Sequence, residues 1–273
     1  AYVTSDPLRG EQMLRPDFTV PVVQSHMAES AEPARYTYAG PVFRYQDNDN
    51  GRAAQSEQVG YEVFDRGQAD AIEAEIFVLF HQILMPLGVT ASTGDVGLLV
   101  AAIEGLTTSD ARKAALRRHI WRPSRFQALL ARFSQPVRAK ALGADGQQIG
   151  LRDASDVELR LLQLVDEVAA PPIPQFEIEA LNDLLEVKGH LPEALAQLQA
   201  LAWRLPAIAF AVDHMAARLA ALTSAGLDVS QIGFEAAYGL TAMEYYDGFV
   251  FGFYAQHAGW PAVASGGRYD ALT

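Results

Sequence analysis

The chain has 273 residues, half of them hydrophobic and a fifth charged, which is enough for a sizeable core and argues against disorder. Its 21 Lys and Arg against 33 Asp and Glu give a formal net charge of -12, the wrong sign for a surface that tracks nucleic-acid phosphates. There is no cysteine, so disulfides, thiol catalysis and thiolate metal sites are excluded. No apolar run reaches the roughly 20 residues of a membrane span and no signal peptide is visible, so a cytoplasmic, membrane-free setting is expected.

In chain order, Ala1 to Gly10 is polar and predicts no element. Met13 to Val23 reads MLRPDFTVPVV, an extended stretch into Pro16, with Pro21 placed to start a helix over Val22 to Glu29. Asp17 and Thr19 are two apart. Either they share one side of an extended chain, where a carboxylate beside a hydroxyl suits an ammonium group, or they form an Asp/Thr turn.

Tyr36 to Tyr45 and Val59 to Phe64 are rich in aromatic and β-branched residues, with Asp47, Asn48, Asp49, Asn50 and Gly51 between them. That pattern predicts a hairpin with a long loop. On the second strand Gln58, Gly60 and Glu62 share one face, and Val59, Tyr61 and Val63 the other. An amide and a carboxylate on either side of a gap could cradle a small polar cation, or could be an ordinary solvated face.

Asp70 with Glu73 resembles a capping box. Ile72, Ile76, Leu79, Phe80 and Ile83 make the apolar stripe of a helix that should stop at Pro86-Leu87-Gly88. Val89 to Thr93 predicts a short strand. From Asp95 to about Leu205 helical patterns dominate, broken at Thr107-Thr108-Ser109, Pro123, Pro136, the glycines from 143 to 150 and the prolines from 171 to 174. Arg112, Lys113, Arg117, Arg118 and His119, with Arg122 and Arg125, form a basic cluster that could dock an acidic partner but is expected rather as a solvated helix face.

Pro206 to Thr223 predicts another helix, closed by Gly226. Gln231 to Tyr238 and Ala242 to Ala255 predict strands joined at Gly239. The second alternates, with Glu244, Tyr246, Gly248, Val250 and Gly252 on one face, and Tyr245, Asp247, Phe249, Phe251 and Phe253 on the other. The Gly266-Gly267 pair before Arg268 predicts a turn. Histidines 26, 81, 119, 190, 214 and 257 are scattered without metal-ligand spacing, so no metal site is expected. No dinucleotide, Walker, HExxH or GxSxG pattern is present.

Hairpin strands with helices set apart indicate an α+β fold on an antiparallel sheet. Three segments are expected: 1–94 as the first part of a core, 95–205 as a helical insertion and 206–273 as the second part.

LRPDFT, GPVFRYQ, GRAAQSEQVGYEVF, EYYDGFVF and SGGRYD occur here in the order seen in histidyl-tRNA synthetase-like proteins. The resemblance covers roughly residues 13 to 90 and 206 to 273. It implies the class II synthetase catalytic fold, with about six antiparallel strands flanked by helices, and a homodimer. The family's histidine pocket falls on Asp17, Thr19, Gln58, Glu62, Tyr245 and Tyr246. Arg44 stands at the motif 2 arginine and is an anion-binding candidate. The family's motif 1 and motif 3 helices are not readable, as expected of a sequence whose ends are missing.

The departures bear on function. The glutamate two places after Arg44 is Gln46, and the ring that stacks adenine is Ser56. The basic loop carries Asp47 and Asp49, with Ala53 and Ala54 in place of larger or basic groups. The late-strand arginine is Thr241. Each lost donor to a transferring phosphate costs on the order of 10²–10³ in rate, so adenylate formation, tRNA handling, catalytic residues and cofactors are not expected. This subtraction, with GDVGLL at 94–99, resembles the regulatory paralogues of ATP phosphoribosyltransferase. They are non-catalytic subunits that join the short-form catalytic subunit in a hetero-oligomer and support histidine feedback. The alternatives are a divergent amino-acid-activating enzyme and an interaction module with a vestigial pocket.

Overall fold

The structure, a computed structural model, describes residues 2–29, 32–45, 53–136, 153–240, 245–256 and 260–270. Backbone contacts divide the chain between Ile72 and Glu73 into two units.

The first unit opens with a hairpin in the stretch from which no element was expected. Strand β1 (Val3–Asp6) pairs antiparallel with β2 (Gly10–Met13). The turn chemistry is local: Asp6 Oδ1 accepts the backbone N–H groups of Leu8 and Arg9 at 2.8 and 2.9 Å, and Gly10 takes the left-handed φ of 77°. Helix α1 (Thr19–Glu29) begins two residues before Pro21. Asp17 Oδ1 accepts the Thr19 N–H at 3.2 Å, so this stretch takes the turn and is not extended.

Strands β3 (Ala34–Phe43) and β4 (Gln55–Phe64) form the expected hairpin, with β4 four residues longer at its start. The register sets Tyr36 opposite Glu62, Tyr38 opposite Gly60 and Gly40 opposite Gln58. Residues 46–52, which carry Gln46, Asp47 and Asp49, lie outside the described residues.

Helix α2 (Ala69–Leu84) gives the second unit its first packing surface. It ends at a single 3₁₀ turn, Met85–Leu87, closed by Gly88 at φ 68°, as the Pro86-Leu87-Gly88 signal predicts. Its buried line is Glu73, Ala74 and Phe77, while Ile83 is exposed, so the apolar stripe marks the edge of the face and not its centre. Glu73 turns into the core and does not serve as the partner in a capping box.

The second unit continues through β5 (Thr90–Asp95), α3 (Val96–Glu104), α4 (Asp110–Arg118), α5 (Pro123–Phe133), α6 (Ala154–Ala169) and α7 (Gln175–Glu186). It then runs through β6 (Lys188–His190), α8 (Leu191–Leu201), α9 (Ala209–Ser224), β7 (Gly233–Glu235), β8 (Phe249–Tyr254) and β9 (Ala262–Gly267). Strand order is β6-β7-β5-β8-β9. The α+β class holds, but among the described residues this sheet has five strands and is mixed, because β5 and β7 run parallel. The segment 95–205 is mostly helical, as its sequence predicts, and also supplies β6, which pairs with β7 at the sheet edge.

Phe249, Phe251 and Phe253 of β8 pack on Phe77 of α2, with ring centroids 6.1, 5.6 and 5.3 Å away. This is the aromatic face read from the alternation. Both late strands are shorter than expected. After Glu235 the chain turns, with the Tyr238 N–H donating to the Glu235 carbonyl and the Leu240 N–H to Ala237. Strand β8 begins at Phe249, not at Ala242, so Tyr245 and Tyr246 precede it and do not alternate on its faces.

The basic cluster divides. Arg117, Arg118, Arg122 and Arg125 are exposed, but Arg112 is only 1% exposed. Its Nε faces the Glu167 carboxylate at 3.3 Å, its Nη1 donates to the Pro171 carbonyl at 2.9 Å and its Nη2 to the Glu167 carbonyl at 3.1 Å. One guanidinium fork thus ties α4 to the end of α6 and to the following loop.

Candidate functional site

On the first unit, α1 and the β3–β4 hairpin bring Thr19, Tyr38 and Glu62 together. Glu62 is 9% exposed, and its Oε1 accepts the Thr19 hydroxyl at 3.2 Å and the Tyr38 hydroxyl at 3.4 Å. A buried carboxylate held in place by two hydroxyl donors can accept a further charge-assisted hydrogen bond. Asp17 is committed to the turn at the helix start. Gln58 lies on the same strand face as Glu62, and its Oε1 is buried without a hydrogen-bond partner among the described residues.

The gap expected at Gly60 is filled. A Cβ built there would stand 2.1 Å from Cζ of Tyr38, so the missing side chain makes room for this ring and does not leave an empty cradle. Tyr38 in turn stacks on Phe18, with centroids 4.7 Å apart, and the Arg15 guanidinium lies 4.4 Å over Phe18. Arg44 is exposed, and its Nε donates to the Pro16 carbonyl at 2.9 Å, an anchor for the strand that the anion-binding reading did not foresee.

Beside this cluster His26 is buried, stacked on Phe64 at 3.9 Å, with Nδ1 3.1 Å from the Tyr36 hydroxyl and Nε2 3.6 Å from Glu32. Arg66 donates to Glu32 at 2.7 Å, and this bond holds the Glu32 carboxyl below its ordinary range.

The second unit has two polar features. The first is a buried ion set. Arg218 of α9 is 3% exposed, donates to Glu73 and, at 2.9 Å, to Asp95, and lies 4.1 Å over the Phe249 ring. Arg268 reaches the other oxygen of Glu73 at 3.2 Å. Two carboxylates facing two guanidinium groups neutralise one another, so this is a cross-link between α2, α9, β5 and the end of β9.

The second is a cavity of about 860 Å³ whose walls include Phe126, Glu235, Tyr238, Tyr246, Tyr254 and Ser265. Tyr238 and Tyr254 share a hydroxyl hydrogen bond of 2.7 Å, and burial is the main reason the Tyr238 hydroxyl is pushed above its ordinary range. Tyr246 is buried, with Tyr245 4.6 Å away, centroid to centroid. A Cβ at Gly267 would stand 2.8 Å from Tyr246, and one at Gly266 2.5 Å from Phe251. The Gly-Gly pair is therefore part of β9 and admits two aromatic rings. It is not a turn.

The six residues anticipated as a ligand set thus divide. Asp17, Thr19, Gln58 and Glu62 lie in the first unit, Tyr245 and Tyr246 in the second. Tyr38, Arg218 and Glu73 were not anticipated. Tyr38 was detectable as the cross-strand neighbour of a glycine. Thr241 lies outside the described residues. Among the described residues no group of three or more His, Asp or Glu side chains is placed to hold a metal ion. No helix among them is long and apolar enough to cross a membrane.

Known proteins resemble the chain along its whole length. The histidyl-tRNA synthetase family model matches residues 2–273. An ATP phosphoribosyltransferase regulatory subunit of Mesorhizobium japonicum is 30% identical over 95% of this chain and 76% of its own length. One of Geobacillus thermodenitrificans is 28% identical over 95% of this chain, which spans only 57% of that relative. The structure of an ATP phosphoribosyltransferase regulatory subunit/histidyl-tRNA synthetase from Bacillus halodurans superposes with a TM-score of 0.68 at 22% identity, covering 99% of this chain and 61% of that one. This chain belongs to the histidyl-tRNA synthetase-like family and, within it, to the ATP phosphoribosyltransferase regulatory subunits.

Proposed function

We propose that this chain acts as the regulatory subunit of an ATP phosphoribosyltransferase, at the first step of histidine biosynthesis in the cytoplasm. It works with a short-form catalytic subunit, as a homodimer within a hetero-oligomer. The observation that carries this reading is the match to regulatory subunits over 95% of the chain. The chain performs no bond-making step of its own. In support, Ser56 is an exposed strand residue opposite Val42 and offers no ring for a base to stack on. Arg44 spends its Nε on the Pro16 carbonyl. Thr241, Asp47 and Asp49 support the same reading from sequence alone.

The chain senses histidine. The ammonium of the ligand takes the carboxylate of Glu62, which Thr19 and Tyr38 orient; Asp17 and Gln58 stay in the ligand set by their place in the family motifs. Tyr245 and Tyr246 stay in the ligand set by their place in the family motif.

The test is reconstitution. Adding the chain to a short-form catalytic subunit should raise phosphoribosyl transfer and make it sensitive to histidine, while the chain alone should show no histidine-dependent exchange between ATP and pyrophosphate. Exchange by the chain alone would favour the amino-acid-activating alternative.

A further inference from the structure

The cavity of the second unit has one wall on the face of the sheet turned away from α2. The register sets Ser92 opposite both Gly233 and Gly252, and Gly252 opposite Ser265. Glu235 lies two residues past Gly233, and Tyr254 two past Gly252, so both share that face. Tyr238 lies across it, since a Cβ at Gly252 would stand 2.1 Å from the Tyr238 hydroxyl oxygen. Phe126 of α5 and Tyr246 add their rings to the wall. A volume of about 860 Å³ is in the range of sites that hold small organic molecules.

Charge decides which molecules fit. Among the described residues of the wall Glu235 is the only carboxylate, and none is Lys, Arg or His. A phosphate or carboxylate placed here would meet a like charge and no cation. Nucleotides, phosphoribosyl compounds and α-amino acids are therefore disfavoured. An organic ammonium instead meets a carboxylate and the faces of aromatic rings, the two kinds of group that hold such a cation.

The depth of each group sets an orientation. Phe126 is 2% exposed and Tyr246 is 9% exposed, whereas Glu235 is exposed and its side chain has no ion pair or hydrogen bond among the described residues. The rings thus form the inner wall and the carboxylate stands at the mouth, where a bound cation keeps part of its water. The Tyr238 and Tyr254 hydroxyls use one hydrogen between them in their 2.7 Å bond and retain lone pairs that accept from an N–H group.

We propose that this cavity binds an aromatic monoamine, its ring among Phe126, Tyr246 and Tyr254 and its ammonium at Glu235. That class is distinct from histidine, whose carboxylate finds no partner in this wall. None of these contacts depends on the regulatory reading.

The test uses probes that share an indole ring and differ in charge: tryptamine, a cation; tryptophan, a zwitterion; and indole-3-propionate, an anion. Calorimetry on the full chain at neutral pH should show tryptamine binding about tenfold more tightly than either of the others, because only it leaves no acid group unpaired. Glu235→Gln, at an exposed position, should weaken tryptamine by about threefold to fivefold, the scale of an exposed ion pair. Ser265→Trp, at an exposed position in the wall, should abolish tryptamine binding by filling the space. Equal affinities for the probes, no binding of tryptamine up to millimolar concentration, or wild-type tryptamine affinity in either variant would each overturn the proposal.

Discussion

Tyr38 lies against the bare backbone of Gly60, its partner across the β3–β4 hairpin, at a distance no side chain at position 60 could tolerate. The same tyrosine donates to Glu62, two residues along. A backbone position and a candidate ligand group are therefore set by one ring. Gly60→Ala should destabilise the protein by about 1–3 kcal/mol, the usual cost of overpacking. Adding Tyr38→Ala should relieve much of that loss, so a double-mutant cycle in urea should show strong coupling. Additive effects would mean that the ring does not occupy this space.

Glu62→Gln keeps the shape of the side chain and removes its charge. If Glu62 receives the ligand ammonium, histidine affinity should fall by about 1–3 kcal/mol, the scale of a charge-assisted hydrogen bond. Calorimetry on the assembled complex reads this directly. An unchanged affinity removes Glu62 from the ligand set.

Arg218 is shared between Glu73 and Asp95 in the core of the second unit. Arg218→Leu leaves those carboxylates facing each other, with Arg268 reaching only Glu73. The expected loss is about 3–5 kcal/mol in chemical denaturation, typical of removing one partner from a buried ion pair. Arg218→Lys should recover only part of it, because an ammonium cannot fork between two carboxylates. A loss below about 1 kcal/mol would mean that the set behaves as a surface pair.

Glu32 gives a pH dependence of known sign. Its carboxyl is held below the ordinary value of 4.5, first by the hydrogen bond from Arg66. A depressed folded-state pKa contributes stability above the unfolded value, and that contribution is lost as pH falls through the folded one. Wild type should therefore lose stability below pH 4.5 more steeply than Glu32→Gln, in parallel denaturation series. The difference should be small, because the pair is solvent-exposed. A steeper loss in the variant would contradict the assignment.

What the sequence made legible were features carried by local rules. The β3–β4 hairpin, the stop at Gly88 and the aromatic face of β8 all follow from turn residues or from a period of two. What it hid depends on partners far along the chain. Nothing local distinguishes Arg112, buried against Glu167, from Arg117, exposed one and a half turns later. Glu73 sits where a capping residue would sit, yet its partner is 145 positions away. Gly60, Gly266 and Gly267 were read as a gap and a turn, because the rings that need their space, Tyr38, Phe251 and Tyr246, lie on other segments. Of the anticipated ligand set, the pairing of Thr19 with Glu62 is a real contact, whereas Asp17 is spent on starting a helix.

As a regulatory subunit, this chain should govern a phosphoribosyl transfer carried out by another polypeptide. The most direct measurement is the rate of phosphoribosyl transfer to ATP by a short-form catalytic subunit, titrated with this chain, in the presence and absence of histidine. The rate should rise with added chain to a stoichiometric plateau and fall when histidine is supplied. A rate indifferent to the chain at every ratio, with or without histidine, would contradict it.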